Sequence, residues 1–86
     1  MASERPTRSL ELDINEAKDG SVAFDPVRNR VHYLNHTAAL VLEFCTGENT
    51  EGDIVRLLMA CYGLPQPPTR EVADCLEQLR TEGLIS

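Results

Sequence analysis

The apolar residues of this 86-residue chain follow one period up to Asn35 and another after it. Before Asn35 they alternate with period two, which places successive side chains on opposite faces of a strand. After it they recur at intervals of three and four, which gathers them into one stripe along a helix. A chain that reads as strands first and helices afterwards buries one sheet face under packed helices, an α+β architecture. At this length it forms one domain with a modest core.

Three strands are predicted. Leu10-Glu11-Leu12-Asp13-Ile14 alternates apolar and polar. Lys18-Asp19-Gly20 supplies a turn, and a second strand covers residues 21–25, stopped by Pro26. Residues 25–30 read as a hairpin turn, because Pro26 presets φ and Asn29 tolerates a left-handed conformation. The third strand is Arg30-Val31-His32-Tyr33-Leu34, with Val31 and Tyr33 on one face and His32 and Leu34 on the other. Together they form an antiparallel meander. Met1 to Arg8 reads as a flexible lead-in, and the domain spans 9–86.

Three helices follow. Asn35 or Thr37 caps the first, with Ala38, Val41, Leu42 and Cys45 on its apolar stripe and Gly47 closing it. Thr50 caps the second in a capping-box pattern with Asp53. Its stripe is Ile54, Leu57, Leu58, Cys61 and Tyr62, and Gly63 ends it. A stiff connector, Pro65-Gln66-Pro67-Pro68, leads to a third helix capped by Thr69. Val72, Cys75, Leu76 and Leu79 fall at helical spacing on it, and Gly83 ends it before an apolar tail, Leu84-Ile85.

Charge narrows the partners. The net charge is −6, and residues 36–86 hold 3 basic against 8 acidic side chains. Nucleic-acid binding needs Lys and Arg to neutralise phosphates, so this balance disfavours it. The third helix repeats the point, with two Arg against four acids over residues 69–82. No apolar run approaches the roughly 20 residues of a membrane span, and the first nine residues lack an apolar signal core. Cys45, Cys61 and Cys75 form no C-x-x-C pair and read as reduced, buried thiols, as in a cytoplasmic protein.

The residues of catalysis are not assembled. His32 and His36 lack a Cys or carboxylate at metal-ligand spacing and read as polar residues at an exposed strand–helix junction. Ser3, Ser9, Ser21 and Ser86 lie outside any nucleophile-elbow pattern. The five glycines sit at turns or helix ends rather than in a phosphate loop. The expectation is a non-enzymatic protein with no cofactor and no metal. A meander instead offers two edges of unpaired backbone groups, and either can take up a peptide as an added strand. The third strand is a candidate. The alternative is that its apolar residues all face the core and its edge is merely blunted.

The run Phe24-Asp25-Pro26-Val27-Arg28-Asn29-Arg30-Val31-His32-Tyr33-Leu34-Asn35-His36-Thr37-Ala38-Ala39 resembles the signature of PqqD-like proteins. These are recognition elements for ribosomally synthesised and post-translationally modified peptides (RiPPs). The resemblance continues through Glu43-Phe44-Cys45-Thr46-Gly47 and Thr50 with Asp53-Ile54, then Val72, Leu76, Leu79 and Gly83-Leu84-Ile85, so it covers about residues 9–86. It implies a winged helix-turn-helix-like fold, three antiparallel strands followed by three helices. It also implies that the leader segment of a precursor peptide is bound as an added strand between the third strand and third helix. By position, the peptide-binding residues would be Arg30, Val31, His32, Tyr33 and Leu34, facing Val72, Cys75, Leu76, Leu79 and Arg80, with Arg80 placed to pair with an acidic leader. The partners implied are the precursor peptide and a modifying enzyme or leader peptidase, such as a radical-SAM protein or a transglutaminase-like protease. The proline-rich connector departs from the pattern. Rival readings are a winged-helix DNA-binding regulator and a purely structural subunit of a larger enzyme.

Overall fold

The computed structural model describes residues 5–9 and 11–86. Its elements are β1 (Asp13–Ala17), β2 (Gly20–Asp25), β3 (Arg30–Asn35), α1 (His36–Phe44), α2 (Glu51–Tyr62) and α3 (Thr69–Thr81). The strands form one antiparallel sheet in the order β1-β2-β3, so β2 is central and β3 lies at an edge. This is the α+β order predicted from the change of period, in the winged-helix-like arrangement that the resemblance implied.

Local chemistry sets each turn. Ala17 pairs with Gly20, which leaves Lys18 and Asp19 as a two-residue turn. Gly20 has φ 151°, and a Cβ built on it would lie 1.8 Å from the Leu34 carbonyl oxygen, so only glycine fits there. In the β2–β3 hairpin the buried Asp25 carboxylate accepts from the backbone N–H of Val27 (3.0 Å) and Arg28 (3.2 Å). Asn29 takes the left-handed conformation at φ 54°.

The helices begin as their caps dictate. The Asn35 side chain accepts from Ala38 N at 2.8 Å and starts α1 directly from β3, with no linker. Thr50 and Asp53 form a complete capping box on α2, and Gly63 closes it in the left-handed region. α1 packs on β2 and β3, and α3 packs on α1 and α2. One sheet face is therefore covered. Ala23 and Leu34 from the sheet meet Val41, Leu42, Ile54, Leu58, Val72, Leu76 and Leu79 in a single core. The tail also closes on it, with Leu84 and Ile85 buried as predicted. Val31 and Tyr33 point away on the uncovered face, 50% and 83% exposed.

Several boundaries differ from the sequence expectation. β1 starts at Asp13 rather than residue 10, and Leu10 lies outside the described residues. The Ala17–Gly20 turn sets its register, and its burial is too slight for an apolar pattern to mark it. α1 ends at Phe44 with Cys45 as its C-cap, and Gly47 lies beyond it, donating to the Pro6 carbonyl at 3.1 Å. Pro68, not Thr69, is the N-cap of α3. α2 buries Ile54, Val55 and Leu58, while Leu57, Cys61 and Tyr62 are exposed, because α3 covers only part of its broad apolar arc. Pro6 to Arg8 is not a loose lead-in. Pro6 is fully buried, and Arg8 N donates to Cys45 O at 2.9 Å.

Candidate functional site

β2 occupies only one side of β3. On the other, alternate backbone N–H and C=O groups have no strand partner among the described residues. An open groove of about 530 Å³ separates this edge from α3. Its near wall is Tyr33, Leu34 and Asn35 with Thr37 and Ala38 of α1, and its far wall is Glu71, Asp74, Cys75, Gln78, Leu79 and Glu82.

Two contacts tie the hairpin and β3 to the C-terminal end of α3. Arg28 Nη1 donates to the Gly83 carbonyl at 3.2 Å, while the same guanidinium lies 3.6 Å from the Asp25 carboxylate. His32 Nδ1 lies 3.4 Å from Glu82 Oε2. The His32 side chain is nearly buried, and its Nε2 has no partner among the described residues. This corrects the expectation of an exposed His32. Its place on the inner face of β3 turns the ring toward α3, whereas His36 is exposed and borders a different depression.

The predicted binding residues separate into groups. Tyr33, Leu34, Cys75 and Leu79 line the groove. Arg30 and Val31 are exposed further along the same edge, and His32 anchors it to Glu82. Val72 and Leu76 are 0% and 1% exposed and belong to the core rather than to the groove wall, and Leu79, also 1% exposed, is a core residue that only borders the groove. Arg80 is exposed but does not line the groove. Sequence reasoning missed Asn35, Thr37, Ala38, Glu71, Asp74, Gln78 and Glu82. The α3 members had a visible signal. Glu71, Asp74, Cys75, Gln78 and Glu82 recur at i, i+3, i+4, i+7 and i+11, a second stripe beside the apolar one.

The groove has an apolar floor and an acidic rim. Ala38 and Cys75, with the edges of the buried Leu34 and Leu79, form the floor. Among the described residues no Lys, Arg or His lines it beside Glu71, Asp74 and Glu82, although Glu82 faces His32 from the end of α3. Arg70 lies 4.0 Å from Asp74, but both side chains are highly exposed and the pair is weak. Burial raises the Cys75 thiol pKa. It pushes that of Cys45 up to about 11, with Cys75 adding to the rise and Arg80 opposing it. Cys45 Sγ donates to the Val41 carbonyl at 3.2 Å, so this thiol belongs to the packing, whereas Cys75 is half-buried at the groove.

A broader depression of about 990 Å³ lies beside β1, bordered by Leu12, Ile14, His36, Leu40 and Tyr62. It is larger, but volume does not decide where an added strand docks. β1 beyond Ile14 presents Asn15, Glu16 and Ala17 and few apolar seats, whereas β3 offers Val31 and Tyr33 outside and Leu34 inside. Among the described residues no group of three His, Cys, Asp or Glu could hold a metal ion, and no helix is long and apolar enough to cross a membrane.

Fold and groove together define a small winged-helix-like module with an open sheet edge facing a helix. The family model for coenzyme PQQ synthesis protein D (PqqD) matches residues 20–85, and the chain belongs to that family. No curated protein matches the sequence. A solved structure of lasso peptide synthetase B1 complexed with the leader peptide shares the fold with a TM-score of 0.74, covering 95% of this chain and 98% of that one at 19% identity.

Proposed function

We propose that this protein captures the leader segment of a ribosomally made precursor peptide as a fourth strand on β3 and presents it to a modifying enzyme or leader peptidase. The observation that carries this reading is the outer edge of Arg30–Asn35, unpaired among the described residues and set across a 530 Å³ groove from α3. Backbone bonds along such an edge give affinity that tolerates sequence, and the apolar floor gives choice among side chains. Membership of the PqqD family and the shared fold with a leader-bound lasso peptide synthetase B1 support it. The role is binding: the groove holds peptide, and the chemistry belongs to the partner enzyme. α3 is poorly suited to DNA, since Glu71, Asp74, Glu77 and Glu82 outnumber Arg70 and Arg80 on it and just after it.

The test is calorimetric titration of the intact protein with the leader of a short precursor encoded beside its gene. The expected result is one-to-one binding with a Kd at or below about 100 μM. Absence of binding at that level contradicts the reading.

A further inference from the structure

The walls of the groove select for more than an extended backbone. A strand added to β3 turns alternate side chains to the two sheet faces. Those on the outer face fall beside Val31 and Tyr33, exposed apolar surface with no covering element among the described residues. Cross-strand neighbours Phe24 and Val22 extend that surface. Side chains on the inner face enter the groove over Leu34, Cys75 and Leu79, beneath Glu71, Asp74 and Glu82. A long cationic side chain meets both demands there: its methylene stem covers the apolar floor and its charge reaches the carboxylates. An acidic side chain in the same place meets three like charges.

We infer that the leader segment taken by this groove is a cationic strand, with Lys or Arg at alternate, α3-facing positions and apolar or aromatic residues between them. This rests on the edge-strand reading above and departs from an acidic leader paired with Arg80, because Arg80 does not line the groove and three carboxylates do.

The test uses the full chain and three synthetic peptides of about ten residues, an ample strand length. They share apolar and aromatic residues at alternate positions and carry Lys, Gln or Glu at the others. Affinity is measured by calorimetry, and the site by backbone amide shifts. The Lys peptide is expected to bind about tenfold more tightly than the Glu peptide, the sum of two or three exposed ion pairs, with the Gln peptide between. The preference should collapse in about 0.5 M salt. It should also collapse in the combined variant Glu71→Gln, Asp74→Asn, Glu82→Gln. Because Glu82 also faces His32, the variant Glu71→Gln, Asp74→Asn is run beside it and should lose most of the preference with the fold intact. Shifts along β3 with equal affinities, or with the Glu peptide tightest, overturn the cationic assignment and leave edge capture standing. Binding by none of the three, with β3 unmoved, counts against edge capture and removes the assignment with it.

Discussion

Arg28 leaves the β2–β3 hairpin and donates from Nη1 to the carbonyl oxygen of Gly83 at 3.2 Å, joining residues 55 apart in the sequence. Gly83 lies just past the end of α3, so one side chain ties the hairpin that leads into β3 to the C-terminal end of the helix across the groove. His32 and Glu82 add a second tie in the same region.

Arg28→Ala should therefore widen the groove as well as weaken the fold. The guanidinium is half-exposed, so the expected loss is about 1 kcal/mol, checked by urea unfolding. Leader affinity should fall at temperatures where the variant is fully folded. Unchanged affinity would show that the tie does not set the groove.

Gly20→Ala should be far more damaging. The new Cβ would lie 1.8 Å from the Leu34 carbonyl, and φ 151° suits no side chain. Separating β2 from β3 at this point should cost on the order of 3 kcal/mol, read from the thermal midpoint.

The sequence shows most of the architecture but only half of the groove. The change of period at Asn35 marks the strand–helix boundary because the Asn35 side chain caps α1 there. The two faces of β3 were legible since Leu34 is buried and Tyr33 exposed, as alternation requires. β1 was misplaced because Asn15, Glu16 and Ala17 are held by backbone pairing to β2, which leaves no apolar signature. On α3, spacing put Val72, Cys75, Leu76 and Leu79 on one stripe, but a stripe does not distinguish core from groove. The fold divides it: Val72, Leu76 and Leu79 enter the core, Leu79 reaching the groove only at its edge, while the half-buried Cys75 borders the groove. The acidic rim was equally periodic, yet on a helix such residues read as a solvated face until β3 stands opposite them.

The cysteines should report on occupancy of the groove. Cys61 is exposed, Cys75 lines the groove, and the buried Cys45 has its pKa raised to about 11. Iodoacetamide near pH 8 should alkylate Cys61 first, Cys75 slowly and Cys45 only on unfolding. Bound leader should protect Cys75 and leave Cys61 unchanged, which mass spectrometry resolves. Equal protection of both would place the peptide elsewhere.

The α2 capping box should govern acid stability without touching the groove. Thr50→Ala should cost about 1 kcal/mol and leave leader affinity unaltered. Hydrogen bonds from Thr50 hold the Asp53 pKa below its usual 3.8, with Arg56 adding to the effect. A carboxylate with a depressed folded pKa contributes stability above the unfolded value and loses it as pH falls through the folded one. Asp53→Asn should thus be less stable than the native chain at neutral pH, and the difference should close as pH drops below about 3.8. A difference that persists at lower pH would show that the ionised carboxylate is not its source.

Peptide is expected to join the outer edge of β3. Backbone amide resonances of the isotopically labelled protein, followed as the precursor leader is added, test it most directly. Saturable shifts are expected along Arg30–Asn35 and at Asp74, Cys75, Gln78 and Leu79, with slowed hydrogen exchange at alternate β3 amides. Shifts centred on Asp13–Ala17 with β3 unmoved would contradict it.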